Sequence, residues 1–349
     1  MKPNLFQFAT SELSQDAILC WLAGWADPDS AAHDGPLHRL GQAFLKVAFE
    51  KHGKQVPVIR TPIKITKQHR GIDVLLVIND AIAVCIEDKV GTTEHSDQLQ
   101  RYLAGLKEEG FSEDQILPVY VQTGEQDSYR AVKAAGYGVV RRRELITLLS
   151  QYLNQGGLDT VARDFHDYLA DIERRVEAFR TQPLSEWEWY AWQGFYSEIQ
   201  HRIGDGEWSY VANPSGGFLG YWWHWHTDAE SEQYLQIEQG NLCFKISVDE
   251  AAKRPALRLK WLDSIRKAGR DKNFPVARPQ RLGVGQTMTV AVFDGEFRTV
   301  DHRGCLDIDA TLGVLREAAD VLDLAVAAVA DKTNSAAAAD GWREAAPAS

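Results

Sequence analysis

The chain has 349 residues, of which 44% are hydrophobic, a length and composition normal for a soluble globular protein of two domains. Its formal net charge of −11 excludes a protein that coats nucleic acid along its whole surface, so any phosphate-binding surface has to be local. Cys20, Cys85, Cys243 and Cys305 are widely spaced with no C-x-x-C pair, which predicts buried free thiols in a reducing compartment. No charged segment followed by a long apolar run opens the chain, and no apolar run reaches the ~20 residues a membrane span needs. The expectation is a cytoplasmic protein with no membrane partner.

In chain order, residues 10–16 followed by Ile18, Trp21, Leu22 and Trp25 predict a capped amphipathic helix. Leu37, Leu40, Phe44, Val47 and Ala48 predict a second helix that stops near Gly53. Residues 56–66 are β-branched and flanked by proline, as in an edge strand. Residues 71–89 hold two Val/Ile/Leu runs separated by Asn79 and Asp80, a β-hairpin buried on both faces. Ser96 is placed to cap a helix bearing Gln98, Leu99, Tyr102, Leu103 and Leu106, and residues 116–122 and 137–140 read as short strands. This order predicts an α/β domain with a mixed sheet flanked by helices over residues 1–155. A helical connector is expected over 156–182.

Composition then changes. An aromatic-rich helix over 184–203 precedes strand signals at 208–212, 218–226, 233–238 and 242–248, a helix near 257–268, strands at 287–293 and 296–300, and a helix over 309–329. Residues 183–330 are thus expected to be an α+β domain with an antiparallel sheet, and 331–349 an Ala-rich disordered tail.

The hairpin is unusual at one end. Asp73 opens one run, and Glu87, Asp88 and Lys89 close the other, where buried strands rarely carry charge. Glu87 and Lys89 share a face and Asp88 takes the opposite one. A two-residue turn would aim Asp73 at the wrong face, so a three-residue turn over Asn79, Asp80 and Ala81, or a bulge, is required to set Asp73 opposite Glu87. Two carboxylates held together suit a hard cation such as Mg²⁺ or Mn²⁺, and Lys89 lies one strand step from a ligand. The constellation fits phosphodiester hydrolysis, and the same spacing fits a buried ion-pair network.

Ile72-Asp73 followed by Ile86-Glu87-Asp88-Lys89 resembles the signature of the PD-(D/E)XK nuclease superfamily, with the first proline replaced. Gln98-Leu-Gln-Arg-Tyr102 is similar to the Q-x-x-x-Y motif of RecB-type members, and residues 9–17 with Trp21 and Leu22 resemble the opening helix of one bacterial branch. The resemblance spans residues 4–149. It implies a restriction-endonuclease-like fold, Asp73, Glu87 and the backbone carbonyl of Asp88 as metal ligands, and Lys89 and Glu12 as catalytic groups. Gln98 and Tyr102 would position the substrate. Asp16 shares a helical face with Glu12, and either serves equally as a charge near the helix start; Tyr102 equally fits the apolar stripe of its helix. The resemblance further implies a Mg²⁺-dependent deoxyribonuclease of bacterial defence, leaving RNA open as an alternative substrate, and a homodimer or a defence-system protein as partner. A catalytically silent or partner-activated nucleic-acid-binding component is the alternative.

Two further features lie outside that motif. Ten Lys and Arg face two Asp between positions 253 and 281, and Arg258, Lys260, Arg266, Lys267, Arg270 and Lys272 are candidate nucleic-acid contacts or simply a solvated face. Residues 221–226 read as an alternating strand, with Tyr221, Trp223 and Trp225 on one face and Trp222, His224 and His226 on the other, one for the core and one free to stack on bases. His95, His224 and His226 suggest zinc only weakly, since spacing supplies no third ligand.

Overall fold

Ser11 accepts a hydrogen bond from the Ser14 amide and starts helix α1 (Glu12–Trp25) in the computed structural model, which describes residues 3–91, 97–213 and 216–344, with side chains as far as Asp331. Asp34 caps α2 (Gly35–Glu50) in the same way through Leu37. These helices approach closely at Gly41, where a Cβ would stand 2.4 Å from the Ala26 nitrogen. The first strand, β1 (Lys64–His69), begins later than expected. Pro57 and Pro62 have no amide hydrogen for a ladder, and the 58–60 backbone is held instead by Asn79, which donates to Val58 O and accepts from the Arg60 amide.

There follow β2 (Ile72–Ile78), β3 (Ile82–Lys89), α3 (Gln98–Glu108), β4 (Ile116–Gln122), a short unanticipated α4 (Arg130–Ala134), β5 (Gly138–Arg141), α5 (Arg142–Asn154) and α6 (Thr160–Val176). His95 and the cap expected at Ser96 lie outside the described residues. The five strands stand in sequential order, antiparallel from β1 to β3 and parallel from β3 to β5. One face of the sheet, with Val74, Leu76, Val84 and Ile86, packs with Leu19, Leu22, Phe44 and Leu148 of the helices. The other, with Leu75, Ala83 and Cys85, packs with Leu106 of α3. Burial on both faces is why the hairpin lacks polar alternation, and each such aliphatic side chain contributes about 1.5–3 kcal/mol. This is the expected α/β architecture, a mixed sheet flanked by helices.

The chain divides into two compact units, Met1–Arg175 and Val176–Ser349. The boundary between them falls within the segment 156–182. Ala162, Phe165 and Leu169 of α6 belong to the first core, and Ala178 and Phe179 to the second.

The second unit comprises α7 (Trp189–Ile203), β6 (Glu207–Val211), β7 (Phe218–Thr227), β8 (Glu232–Glu238), β9 (Asn241–Ser247), α8 (Arg254–Asp271), β10 (Val276–Ala277), β11 (Thr287–Phe293) and α9 (Ile308–Glu344). Its strands form an antiparallel sheet ordered β10-β11-β9-β8-β7-β6. Three expectations change. Residues 184–186 form a separate 3-10 turn before α7. No strand forms over 296–300, where Arg298 stacks on Trp187 and Trp192 and pairs with Glu296, and β11 takes β10 as its outer neighbour. Helix α9 runs past the expected stop at 329 to Glu344, consistent with the high helix propensity of its alanines, and 345–349 lie outside the described residues. No helix among the described residues is long and apolar enough to cross a membrane.

Candidate functional site

The hairpin turn sets the geometry. Ile78 pairs with Ile82, leaving Asn79, Asp80 and Ala81 in the turn, with Asn79 and Asp80 left-handed at φ 52° and 55°. Val74 pairs with Ile86, so the next step outward sets Asp73 opposite Glu87, on the same face as Leu75 and Cys85. Asp73 Oδ2 also accepts the Asp88 amide at 2.9 Å, fixing the carboxylate against the end of β3.

Glu87 is wholly buried. Its Oε1 accepts from Lys89 Nζ and, at 3.1 Å, from Gln98 Nε2, whose amide also reaches the Tyr102 hydroxyl. Burial pushes the Glu87 carboxyl up to about 7, with Asp73 adding repulsion and Lys89 opposing it. Burial works to lower the Lys89 ammonium, but the adjoining Glu87 and Asp73 outweigh it and the net shift is upward, so Lys89 stays charged at neutral pH. The Tyr102 ring lies over Gly71, where a Cβ would meet it at 3.1 Å and where φ is +92°.

Asp88 faces the other way, into the α1 side of the sheet. Its Oδ1 accepts from Gln15 Nε2, Gln15 Oε1 accepts from the Thr123 hydroxyl, and the Thr123 carbonyl accepts from Arg142. Burial raises the Asp88 carboxyl well above the usual carboxylate range, and burial followed by repulsion from Asp73 raises that of Asp16. Glu12 reaches the same strand end, its Oε1 accepting the Val90 amide at 3.3 Å. Gln68 links the two acidic groups, donating to Asp16 Oδ2 at 3.3 Å and to Asp73 Oδ1 at 3.1 Å.

The fold therefore gathers Asp73, Glu87, Lys89, Gln98 and Tyr102 on one face of the sheet, with Glu12 and Asp16 at the strand end. The Asp88 side chain is not with them, and its carbonyl accepts from Lys89 Nζ at 3.2 Å. Gln15 and Gln68 are not legible in the sequence, since neither has a spacing that relates it to the hairpin. Glu87 Oε2, Asp88 Oδ2 and Asp16 Oδ1 are buried without a hydrogen-bond partner. A buried carboxylate oxygen in that state is costly, and a hard divalent cation on the Asp73 and Glu87 oxygens would relieve Glu87 Oε2. The residues fit such an ion.

In the second unit, the exposed side of α8 carries Lys260, Arg266, Lys267 and Arg270, with Lys272 just beyond and 3.5 Å from Asp320. Arg258 does not join them, because its guanidinium donates to the Gly283 carbonyl. Tyr221 and Trp223 are core, packed with Tyr196 of α7.

The first unit thus sets two carboxylates and a lysine at the ends of neighbouring inner strands of a mixed sheet between helices. Residues 30–182, a little under half of the chain, match the family model of the PD-(D/E)XK nuclease superfamily. The match begins beyond α1, so Glu12, Gln15 and Asp16 lie outside it. Superfamily members generally use divalent metal ions, without the match naming one. No curated protein and no solved structure matches the chain.

Proposed function

We propose that the first unit is a Mg²⁺- or Mn²⁺-dependent nuclease that hydrolyses phosphodiester bonds of DNA. The observation that carries this reading is the pairing of Asp73 with Glu87 on one face, with Lys89 beside them and Glu87 Oε2 left without a partner. Asp73, Glu87 and the Asp88 carbonyl would hold the ion, which when bound supplies a more acidic water and neutralises phosphate charge. Lys89, charged at neutral pH, stands where it can stabilise negative charge that grows on a phosphate. Gln98 orients the Glu87 carboxylate and is itself braced by Tyr102. Gln68 holds Asp73 toward the ion-binding side, and Glu12 is anchored at the Val90 amide.

The exposed Lys and Arg of α8 would contact the phosphate backbone of the substrate. A role in bacterial defence against foreign DNA rests on the resemblance of residues 9–17 to the opening helix of one bacterial branch of the superfamily and of the Gln98 and Tyr102 spacing to its RecB-type members. One contact favours the alternative of a partner-activated enzyme: Lys89 bonds both Glu87 and the Asp88 carbonyl, two of the groups a metal would use. The test is cleavage of plasmid, linear and single-stranded DNA and of RNA with each ion. Loss of cleavage in Asp73→Asn and Lys89→Ala supports the reading; cleavage unchanged in both variants refutes it.

A further inference from the structure

A second cluster of donors lies in the second unit, and regular strand alternation would not have assembled it. Trp223 of β7 pairs with Leu235 of β8, but His226 pairs with Gln233, so His224 and Trp225 together oppose Tyr234 alone. This bulge inserts one residue, and His224 takes the left-handed conformation at φ 59°. The faces after the bulge are inverted relative to a regular strand. His226 falls on the same face as Trp223, while Trp225 goes to the opposite face and stacks on Tyr234 with ring centroids 4.0 Å apart. The face-by-face reading of residues 221–226 is corrected accordingly.

The consequence is convergence on α9. Asp323 Oδ1 lies 2.7 Å from His224 Nε2 and 2.8 Å from His226 Nε2, and the two Nε2 atoms are 3.4 Å apart. Among the described residues this is the one set of three His, Cys, Asp or Glu donors whose ligand atoms all lie within 4.8 Å of one another. A tetrahedral ion with metal–nitrogen bonds of about 2.0–2.1 Å requires its two imidazole nitrogens to be about 3.3–3.4 Å apart, the separation present here. The carboxylate oxygen would retreat by roughly half an ångström from its hydrogen-bonding position. Asp205 Oδ2, which accepts the His224 amide at 3.3 Å, adds negative charge beside the cluster and holds the bulge. A non-glycine residue kept left-handed in a strand is a strained feature of the kind that marks ligand clamps.

We propose that His224, His226 and Asp323 bind a divalent transition-metal ion of the zinc class. Two imidazole nitrogens and one carboxylate select Zn²⁺ or its neighbours over Mg²⁺. The three side chains are partly exposed, so a fourth position remains open to water.

The experiment is equilibrium binding of Zn²⁺ and Co²⁺ to metal-stripped full-length protein carrying Glu87→Gln, which takes the acidic site out of the count. One ion per chain is expected, with the intense visible absorption of tetrahedral Co²⁺. His226→Gln and Asp323→Asn should each weaken binding by about 100-fold or more, beyond what supporting residues contribute. His224→Asn, which tolerates the left-handed backbone, should do the same while circular dichroism stays unchanged. Absence of binding in the parent protein, or binding and cobalt spectrum unchanged in all three variants, would reduce the cluster to a hydrogen-bonded clasp between β7 and α9 and overturn the proposal.

Discussion

Asp73 stands opposite Glu87 because the turn between their strands holds three residues rather than two, with Asn79 and Asp80 both left-handed. The turn is therefore a determinant of the acidic site some distance from it. Asp80→Val places a β-branched residue at φ 55° and should cost about 1–2 kcal/mol, whereas Asp80→Gly should cost little or stabilise. Urea denaturation of the two variants checks this. Equal stability would show that the turn relaxes without strain.

On the proposed nuclease, Asp73→Asn and Glu87→Gln should each lower the cleavage rate by about 100-fold or more, as should Lys89→Ala. The two carboxylate variants should also require more metal for half-maximal rate. Lys89→Ala should leave the metal requirement less affected, because it removes a cation rather than a ligand. A metal titration of single-turnover cleavage separates these outcomes.

The pH dependence of stability follows from Glu87. Its carboxyl is raised from the ordinary 4.5 to about 7, so between those values the folded protein keeps a proton that the unfolded chain has released. Stability is greatest on the acid side of that window and falls as pH rises through it, by about 3 kcal/mol for a shift of this size. Asp88 and Asp16 are shifted in the same direction. Denaturation in chelator at pH 5 and pH 8 should show the fall, and Glu87→Gln should reduce it. Added divalent ion should offset it progressively above pH 7, as the carboxylate deprotonates to bind. A wild-type stability that rises across the window would contradict the assignment.

Gln15 is the direct partner of the buried Asp88 carboxyl and links it to Thr123 and Arg142. Gln15→Leu should cost about 1–3 kcal/mol, the penalty for leaving buried polar groups unpaired. Thermal denaturation would detect it. Gln68→Ala is on the surface side of the same acidic group and should instead alter metal affinity with little change in stability.

Charge reversal at Lys260, Arg266, Lys267 and Arg270 should weaken DNA binding and reduce its salt dependence by about 0.9 for each phosphate that is no longer neutralised. Arg258, committed to the Gly283 carbonyl, should affect folding more than binding. Filter binding across a range of salt distinguishes a phosphate-binding face from a merely solvated one, which would leave the slope unchanged.

Local pattern determined a good deal. The charged ends of residues 71–89, the strand over 116–122, the two opening helices and the mixed sheet are all legible because apolar periodicity and capping residues act over a few positions. Even the three-residue turn is one of only two ways, a bulge being the other, in which a period of two lets Asp73 face Glu87. Tertiary structure alone decided the rest. Gln15 and Gln68 join the acidic site, Arg298 stacks on Trp192 where a strand was expected, and the bulge at His224 breaks the alternation of its strand. Asp323 supplies the third donor that the spacing of His224 and His226 lacks, from a helix nearly a hundred residues later. Such pairings depend on how elements stack and where a ladder slips by one residue, and the energies that settle those choices come from side chains distant in the chain.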